Sequence, residues 1–282
     1  MRTVTPLLAV TLAAVSGRLG TDAQDHDSPV SFVRYEYQGR ISYGVLDGDR
    51  IQRLEGNLYG EHTLTETMVD LSAVKLLPPS EPQKVIAVGL NYRSHIGDRQ
   101  PAAYPGLFAK YPTSLVGHEA DIVRPEGASN LHYEGELVLV IGKRAKNVSE
   151  SEALDYVFGV TGGNDVSERD WQGADLQWFR AKASDTFGPV GPAVTVGLDP
   201  DDLLVQTRVN GEVRQSERSS DLIFDASAIV SYISRYITLE PGDLIFTGTP
   251  QTTRALEDGD VVEVEIEEVG VLRNRVVSAK GN

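Results

Sequence analysis

The stretch HYEGELVLVIG, from His132 to Gly142, has the pattern of a β-strand that is buried on both sides. Alternate side chains of a strand point to the same side, so Glu134 and Glu136 share one face with the valines that follow them. The leucines and the isoleucine between these positions cover the other face, so both faces are apolar beyond the carboxylates. Two carboxylates at the end of such a strand need a partner, because an unpaired buried charge is very costly.

The composition is that of an ordinary globular protein with a strong negative charge. The chain has 282 residues, enough for one large domain or for a small domain and a larger one. Its 26 Lys and Arg against 41 Asp and Glu give a net charge of −15, which argues against binding to nucleic acids or anionic membranes. The absence of cysteine excludes disulfides, thiol nucleophiles, zinc–thiolate sites and iron–sulfur clusters.

Residues 1–30 form a separate segment, which we interpret as a leader and a possible signal peptide. The apolar run from Thr5 to Gly17 is too short and too broken for a membrane span, and TDA ending at Ala23 resembles a signal cleavage site. We therefore expect an exported, periplasmic protein that has no membrane segment once it is mature. The alternative is a cytoplasmic protein with a disordered leader, produced by a start codon assigned too early.

The rest of the chain predicts an α+β fold in which strands outnumber helices, without a regular βαβ rhythm. Residues 31–77 alternate in polarity around Gln38-Gly39 and Asp47-Gly48, which predicts a small β-rich N-terminal module with hairpin turns. A cluster of prolines then indicates a linker. We place the main, catalytic domain at residues 82–282.

Two helices are expected in the main domain. Ser149, followed by Glu152 three residues later, is a capping box that predicts a short helix. Asp225 precedes the amphipathic stretch ASAIVSYISRYI and predicts a second helix, with the aspartate as its N-cap. The remainder of the domain is expected to be strand and turn.

Familiar catalytic motifs are absent: the sequence has no G-x-S-x-G elbow, P-loop, dinucleotide fingerprint or H-E-x-x-H. A third acid, Asp165, lies in a Gly-rich turn after an apolar strand, where functional side chains are often placed. With Glu134 and Glu136 it can close a triangle around one cation, and three carboxylates suit Mg²⁺, Mn²⁺ or Ca²⁺. The alternative is that the two glutamates are exposed, or form salt bridges with Arg169 or Lys182.

Two further residues have the chemistry of a site. His95 follows a strand end and has Asp98 three residues later, and an imidazole oriented by a carboxylate is a candidate general base. Lys182 lies in a segment that ends in rigid Pro-Gly turns, and a lysine near a metal can stabilise a developing enolate or carboxylate. The alternatives are a surface histidine in a loop and a solvated surface lysine.

Several motifs, taken in order, resemble the fumarylacetoacetate hydrolase family. The matching stretches lie between Lys84 and Val277 and are GLNYRSH, LFAKYPTSLVG, YEGELVLVIGK, GGNDVSERDWQ, RAKASDTFGPVGP, VNGEVRQ and LEPGDLIFTGTP. Their number and order make the resemblance specific, although no single stretch does so. The resemblance implies the family's fold, a mixed β-sandwich roll, and assembly as a homodimer.

The resemblance also implies roles for individual residues. The acids that match the family's metal ligands, for Mg²⁺ or Mn²⁺, are Glu134, Glu136 and Asp165. The expected catalytic residues are His95, Asp98 and Lys182. The residues expected to bind the substrate or to line its cleft are Lys110, Arg169, Gln172 and Thr249, and the hydroxyl and backbone of the last are expected to contact the substrate.

Two positions depart from the family pattern. Many members that act on small diketo acids have a Glu three residues after the histidine, on a loop that closes over the site, whereas this chain has Asp98 after Gly97. The shorter side chain predicts a weaker dyad, or one that forms only when the loop is closed. The common TGTPxGV reads TGTPQTT at residues 247–253, and this loop borders the substrate tail.

Together these residues predict an enzyme that works through an enolate. We expect a divalent-metal-dependent hydrolase that cleaves a C–C bond in a β-diketo acid or an acylpyruvate-type substrate through a metal-bound enolate. In that hypothesis His95, steadied by Asp98, deprotonates a water, and Lys182 stabilises the enolate or protonates its carbon. The alternatives are a decarboxylase or enol–keto isomerase of a 2-oxo acid on the same site, and a catalytically quiet protein that binds a metal or a ligand.

Overall fold

The computed structural model describes residues 28–279 as a strand-rich fold. Its strands are β1 (Val30–Tyr37), β2 (Arg40–Asp47), β3 (Arg50–Gly56), β4 (His62–Asp70), β5 (Lys75–Leu76), β6 (Val85–Gly89), β7 (Gly106–Lys110), β8 (Leu115–Val116), β9 (Asp121–Arg124), β10 (Leu131–His132), β11 (Gly135–Ile141), β12 (Val157–Asn164), β13 (Ser167–Glu168), β14 (Gly188–Val196), β15 (Leu204–Val209), β16 (Glu212–Arg218), β17 (Leu244–Phe246), β18 (Val261–Ile266) and β19 (Gly270–Ser278). Its α-helices are α1 (Arg93–Ile96), α2 (Arg169–Ala174), α3 (Phe179–Ala183) and α4 (Ala226–Tyr236). Short 3₁₀ helices cover Leu71–Ala73, Pro112–Ser114, Glu150–Tyr156 and Ser219–Asp221.

The predicted leader lies almost entirely outside the described residues, which begin at residue 28. Within residues 28–279, no helix has both the length and the apolar character needed to cross a membrane. The exported location and the homodimer stay predictions.

Two main sheets make the fold a mixed β-sandwich. The larger sheet has twelve strands: ten follow the order β4-β3-β2-β1-β14-β12-β11-β17-β6-β7, while β5 pairs with β1 and β8 with β14. The smaller sheet has five strands in the order β16-β15-β18-β19-β9, and β10 pairs with β13 in a separate two-stranded sheet. Antiparallel pairs dominate, but β6–β17, β8–β14 and β9–β19 are parallel. The mixed, strand-rich fold that the sequence predicts is confirmed.

Strand β11 lies inside the larger sheet, between β12 and β17, and every one of its residues is buried. Its leucines and Ile141 belong to a core shared with the smaller sheet and with α4. Val138 and Val140 belong to a second core on the opposite face. Each such side chain contributes roughly 1.5–3 kcal/mol when it is fully buried, so this strand is held firmly in place. The predicted burial on both faces is confirmed.

Helix α4 is the second helix that the sequence predicts, and it covers the core face of the larger sheet. The side chain of Asp225 accepts a hydrogen bond from the backbone N–H of Ala228, which caps the first turn. Ile229, Val230 and Ile233 lie on the buried side of the helix, within the same core as β11. The amphipathic pattern therefore gives both the helix and the direction in which it packs.

The segment after Ser149 differs from the predicted helix. It forms a 3₁₀ helix from Glu150 to Tyr156, and Ser149 makes no side-chain cap to its backbone. The Ser149 hydroxyl instead donates to Oε2 of Glu152, 2.6 Å away. Because the carboxylate competes successfully for the hydroxyl, the reciprocal capping box does not form, and the tighter helix runs directly into β12.

The N-terminal strands form the predicted meander. Gln38 and Gly39, with φ of 50° and 73°, connect β1 to β2, because two left-handed residues suit the twist of a tight hairpin. The second turn falls one residue later than predicted, at Gly48 and Asp49. Strand β1 also pairs with β14, so these strands continue the larger sheet rather than forming a sheet of their own.

Gly163 provides a test of the packing beneath the acidic end of β11. It pairs with Glu136 in the register, and a Cβ added here lies 2.5 Å from Phe246 Cε1 and 2.6 Å from Val138 Cγ2. We expect Gly163→Ala to lower the free energy of unfolding by about 1–3 kcal/mol, because a well-packed core resists added volume. Chemical denaturation measures the change. Gly173→Ala, in α2 with open space around its Cβ, is the control that does not lower the free energy of unfolding, because alanine is favoured over glycine in a helix.

Candidate active site

Three acids meet at one end of the larger sheet. Glu134 directly precedes β11, Glu136 lies in β11, and Asp165 directly follows β12. Because β11 and β12 are antiparallel, the start of one lies beside the end of the other, and the backbone N–H of Asp165 donates to the carbonyl of Glu134 at 2.8 Å. All three side chains are buried, and one oxygen from each lies within 4.8 Å of the others.

Positive side chains surround two of these acids. Lys182 Nζ lies 2.5 Å from Glu134 Oε2 and 2.6 Å from Asp165 Oδ2. Arg169 Nη2 lies 2.5 Å from the other oxygen of Glu134, and Lys110 Nζ lies 2.6 Å from the other oxygen of Asp165. The salt bridges with Arg169 and Lys182 that the sequence left as an alternative are therefore present for Glu134 but not for Glu136, and they occur together with the acidic triangle.

Glu136 has a different environment. It accepts a hydrogen bond from the backbone N–H of Gly248 at 2.8 Å, and within residues 28–279 it forms no salt bridge. Burial, together with the charges of Asp165 and Glu134, raises the pKa of the Glu136 carboxyl well above its ordinary value. Burial also opposes ionisation of Glu134, but Lys182 and Arg169 outweigh it and hold the pKa of that carboxyl below its ordinary value.

This donor set fits a divalent cation. The three groups are buried carboxylates, which are hard oxygen ligands of the kind that Mg²⁺, Mn²⁺ and Ca²⁺ prefer. One of the three, Glu136, forms no ion pair within the described part of the chain, and a cation between the acids would offset the cost of its buried charge. The residues present can therefore hold such an ion.

The two lysines are buried rather than solvated. Lys182, on α3, exposes 2% of its surface, and its Nζ lies 5.0 Å from the centre of the Phe108 ring. Burial alone lowers the pKa of a lysine, but Asp165 and Glu134 outweigh it at Lys182 and raise the pKa, which keeps the ammonium charged. At Lys110 burial outweighs the attraction of Asp165, and the pKa is lowered. The alternative of a solvated surface Lys182 is wrong.

A cavity of about 550 Å³ opens onto the acid triad, the group formed by Glu134, Glu136 and Asp165. The predicted residues that line it are Glu134, Glu136, Asp165, His95, Arg169, Gln172, Lys182 and Thr249. Lys110 does not line it and lies behind Asp165 instead. The Thr249 hydroxyl already donates to the carbonyl of Gly135 at 2.9 Å and accepts from Gln215 Nε2 at 2.8 Å. Its hydroxyl therefore holds the loop against β11.

His95 and Asp98 are not brought together. Asp98 is exposed, and no hydrogen bond or ion pair joins these two described residues. His95 Nδ1 instead lies 2.5 Å from the carbonyl oxygen of Gln251, in the loop that departs from the family pattern. The catalytic role of Asp98 stays a prediction, and the dyad geometry expected from the spacing is absent between these residues.

Several residues of the cavity wall were not predicted from the sequence, and they include Arg99, Phe108, His132 and Trp178. His132 is held by Thr253 Oγ1 at 2.8 Å and by Asn130 Oδ1 at 2.9 Å. Burial and the charge of Arg169 lower its pKa to about 4, so it is neutral near pH 7. The sequence signal for these residues is weak, because they come from four separate segments that only the fold brings together.

Comparison with known proteins shows which family the chain belongs to. The family model described as fumarylacetoacetate hydrolase C-terminal matches residues 84–277, and a model described as Rv2993c-like, N-terminal, matches residues 31–79. A mitochondrial oxaloacetate tautomerase of Xenopus laevis is 37% identical over 231 residues, which are 77% of this chain and 71% of the relative.

Two solved structures are similar along most of the chain. A 2-hydroxyhepta-2,4-diene-1,7-dioate isomerase from Mycobacterium marinum superposes with a TM-score of 0.84 at 40% identity, covering 89% of this chain and all of the other. A maleylpyruvate hydrolase from Sphingobium sp. SYK-6, in complex with manganese(II) and pyruvate, superposes with a TM-score of 0.74 at 28% identity and covers 89% of this chain and 100% of that chain. The chain therefore belongs to the fumarylacetoacetate hydrolase family, whose members include hydrolases, isomerases and tautomerases.

Proposed function

We propose that this chain is a divalent-metal-dependent enzyme that interconverts the enol and keto forms of a small 2-oxo acid. The observation that carries the proposal is the buried triad, in which Glu136 forms no salt bridge within residues 28–279. His95 and Lys182 line the same cavity, so an acid–base group and a fixed positive charge face one bound molecule.

The residues around the triad suit a substrate with a carboxylate beside a carbonyl. A divalent cation on the three acids supplies a Lewis acid that lowers the cost of negative charge on a substrate oxygen. The Lys182 ammonium adds a second positive charge beside it. Arg169, whose Nη1 donates to Gln172 Oε1 at 2.8 Å, offers a planar guanidinium to the substrate carboxylate.

His95 is the group that moves the proton. A carbonyl oxygen can only accept, so the contact with Gln251 requires a proton on Nδ1 and leaves Nε2 of the neutral ring as the acceptor. In the keto-to-enol direction, Nε2 takes a proton from carbon 3 of the substrate. The imidazolium then delivers that proton to the oxygen on carbon 2, and no water is consumed.

The position of Asp98 favours this reaction over hydrolysis. Hydrolysis requires a water that is deprotonated in place, and Asp98, the carboxylate expected to support His95 in that step, is exposed and forms no hydrogen bond or ion pair with it. Proton transfer needs the triad, Lys182 and His95 alone.

Hydrolysis of a C–C bond in an acylpyruvate is the second candidate. The observation that favours it is the similarity to a maleylpyruvate hydrolase that holds manganese(II) and pyruvate, because pyruvate is the product fragment that such cleavage releases. Movement of the residues that follow α1 can bring Asp98 closer to His95 when a substrate binds. Both reactions use the same acids and the same lysine.

A substrate panel separates these reactions. We expect the enol form of oxaloacetate to lose its ultraviolet absorbance fastest when enzyme and Mg²⁺ or Mn²⁺ are both present, and a chelator to remove this acceleration. Cleavage of maleylpyruvate and release of CO₂ from oxaloacetate are measured in parallel. Faster cleavage than enol–keto conversion contradicts the proposal and favours the hydrolase.

His95→Ala tests the assignment of the proton-transfer group. We expect kcat for enol–keto conversion to fall roughly 10²–10⁴-fold, the range for a lost acid–base group, while binding of Mn²⁺ is unchanged. His62→Ala, on the exposed strand β4, is the control and keeps full activity. If His95→Ala slows only the hydrolysis of acylpyruvates, the imidazole serves a water and the assignment is wrong.

A further inference from the structure

Gln251 adopts a backbone conformation that glutamine rarely takes. Its φ is 53°, in the left-handed region, where a side chain with a Cβ is disfavoured. Such a residue persists when its surroundings fix it, and these conformations cluster at functional sites. Gln251 lies in the TGTPQTT loop, the segment in which this chain departs from the common family sequence.

The side chain of Gln251 is attached to the edge of the smaller sheet. Its Oε1 accepts from the backbone N–H of Ser216 at 3.2 Å, and its Nε2 lies 3.3 Å from the Ser216 carbonyl. Strand β16, which contains Ser216, is the outer strand of that sheet, so backbone N–H and C=O groups on its outer edge are not paired with another strand of the sheet. The side-chain amide of Gln251 therefore contacts both the backbone N–H and the carbonyl of Ser216, as the backbone of a neighbouring strand does.

The backbone of Gln251 is attached to helix α1 instead. Its N–H donates to Ser94 Oγ at 2.9 Å, and its carbonyl oxygen lies 2.5 Å from His95 Nδ1. The preceding peptide is also held, because Gln215 Nε2 donates to the carbonyl of Pro250 at 2.5 Å. One residue thus connects the outer strand of the smaller sheet to the helix that carries His95.

We propose that Gln251 is the positioning residue of His95, fixing its tautomer and ring orientation in place of a carboxylate. The left-handed φ directs the carbonyl at Nδ1, and the amide contact with Ser216 keeps that φ populated. The Nδ1 proton is then held in the hydrogen bond to the Gln251 carbonyl oxygen, and Nε2 is the ring nitrogen that exchanges protons with a ligand. The consequence for turnover rests on the proposed function, but the tautomer itself does not.

The test compares Gln251→Gly and Gln251→Ala in the full chain. Glycine adopts the left-handed conformation without penalty but lacks the amide, whereas alanine lacks the amide and also resists that conformation. We expect kcat to fall roughly 10–100-fold in both, as for other losses of an orienting partner, with KM and Mn²⁺ affinity unchanged. Gln251→Asn, which keeps an amide and tolerates the left-handed region, recovers part of the loss.

The matched control is Gln38, a second glutamine with a left-handed φ of 50°, in the exposed hairpin between β1 and β2. Gln38→Gly and Gln38→Ala remove the same side chain from the same conformation and leave turnover at the wild-type level. Equal losses of activity in the Gln38 and Gln251 variants overturn the proposal. If the wild type turns over substrate, full activity in the Gln251 variants overturns it too.

Nitrogen NMR of histidine side chains gives a readout that does not depend on turnover. With ¹⁵N-labelled histidine, at a pH where the ring is neutral, His95 is expected to carry its proton on Nδ1 in the wild type and to mix both tautomers in Gln251→Gly. The histidine signal that is missing from the spectrum of His95→Ala is assigned to His95. A wild-type His95 protonated on Nε2, or an unchanged tautomer in Gln251→Gly, rejects the positioning role. An absence of turnover in the wild type, with the expected tautomers, rejects only the proposed function.

Discussion

Replacing Glu136 with Gln is expected to abolish binding of Mg²⁺ and Mn²⁺ while making the metal-free protein more stable. The substitution keeps the shape of the side chain but removes one of three carboxylates whose oxygens lie within 4.8 Å of one another. Loss of the cation removes several kcal/mol of charge stabilisation in the reaction, and each 1.4 kcal/mol is tenfold, so turnover falls by roughly 10³-fold or more. Isothermal titration with Mn²⁺ and the enol–keto assay measure the two losses.

The gain in stability has a definite dependence on pH. Burial, Asp165 and Glu134 raise the pKa of Glu136 in the folded state, so its ionisation opposes folding. Stability linked to this group is complete below the ordinary carboxyl pKa and is lost as the pH rises through the raised, folded-state pKa. Glutamine does not ionise, so Glu136→Gln avoids this loss. Its thermal midpoint without metal exceeds that of the wild type at neutral pH, and the difference shrinks towards acid pH.

Glu265→Gln is the control for the change in net charge, because Glu265 lies on the outer face of the smaller sheet and pairs with Arg208. It leaves Mn²⁺ binding and the pH dependence of the midpoint at wild-type values. Wild-type Mn²⁺ affinity in Glu136→Gln would falsify the metal site proposed at the triad.

Local chemistry explains which parts of the fold the sequence can predict. Strand β11 follows from alternation on two apolar faces, the hairpin at Gln38 from its turn residues, and α4 from its cap at Asp225 and its period. Each of these signals lies within a few residues of the element it specifies. The capping box at Ser149 fails for a local reason too, because the nearby Glu152 carboxylate takes the hydroxyl.

In the site, too, some residues can be predicted from local sequence signals and others cannot. The acids of the triad can be predicted, because Glu134 and Glu136 start a buried strand and the antiparallel pairing brings Asp165 beside them. The partner of His95 cannot be predicted from spacing, since it is a backbone carbonyl whose direction depends on a left-handed φ in a distant loop. Residue identity does not encode a contact of that kind, so the spacing pointed to Asp98, which forms no hydrogen bond or ion pair with His95 in this structure.

Lys182→Met is expected to cause the largest loss of stability, and a divalent cation should restore part of it. The Lys182 ammonium bridges Glu134 and Asp165, and its removal leaves buried carboxylates with one positive partner each, Arg169 and Lys110. Breaking a buried pair from one side costs about 3–5 kcal/mol. At about 2–4 °C for each kcal/mol in a chain of this size, the thermal midpoint falls by roughly 6–20 °C.

Cation binding separates this electrostatic loss from simple misfolding. Because Mg²⁺ or Mn²⁺ supplies positive charge at the same acids, either ion raises the midpoint of Lys182→Met more than that of the wild type. Lys84→Met is the comparison: its partner Asp243 is also buried but keeps backbone N–H donors from Gln83, Lys84 and Glu240. We expect a loss of about 1 kcal/mol there and no response to the ion, because the carboxylate stays hydrogen-bonded. Equal midpoints for the two variants, with or without Mn²⁺, show that the Lys182 ammonium does not neutralise the triad.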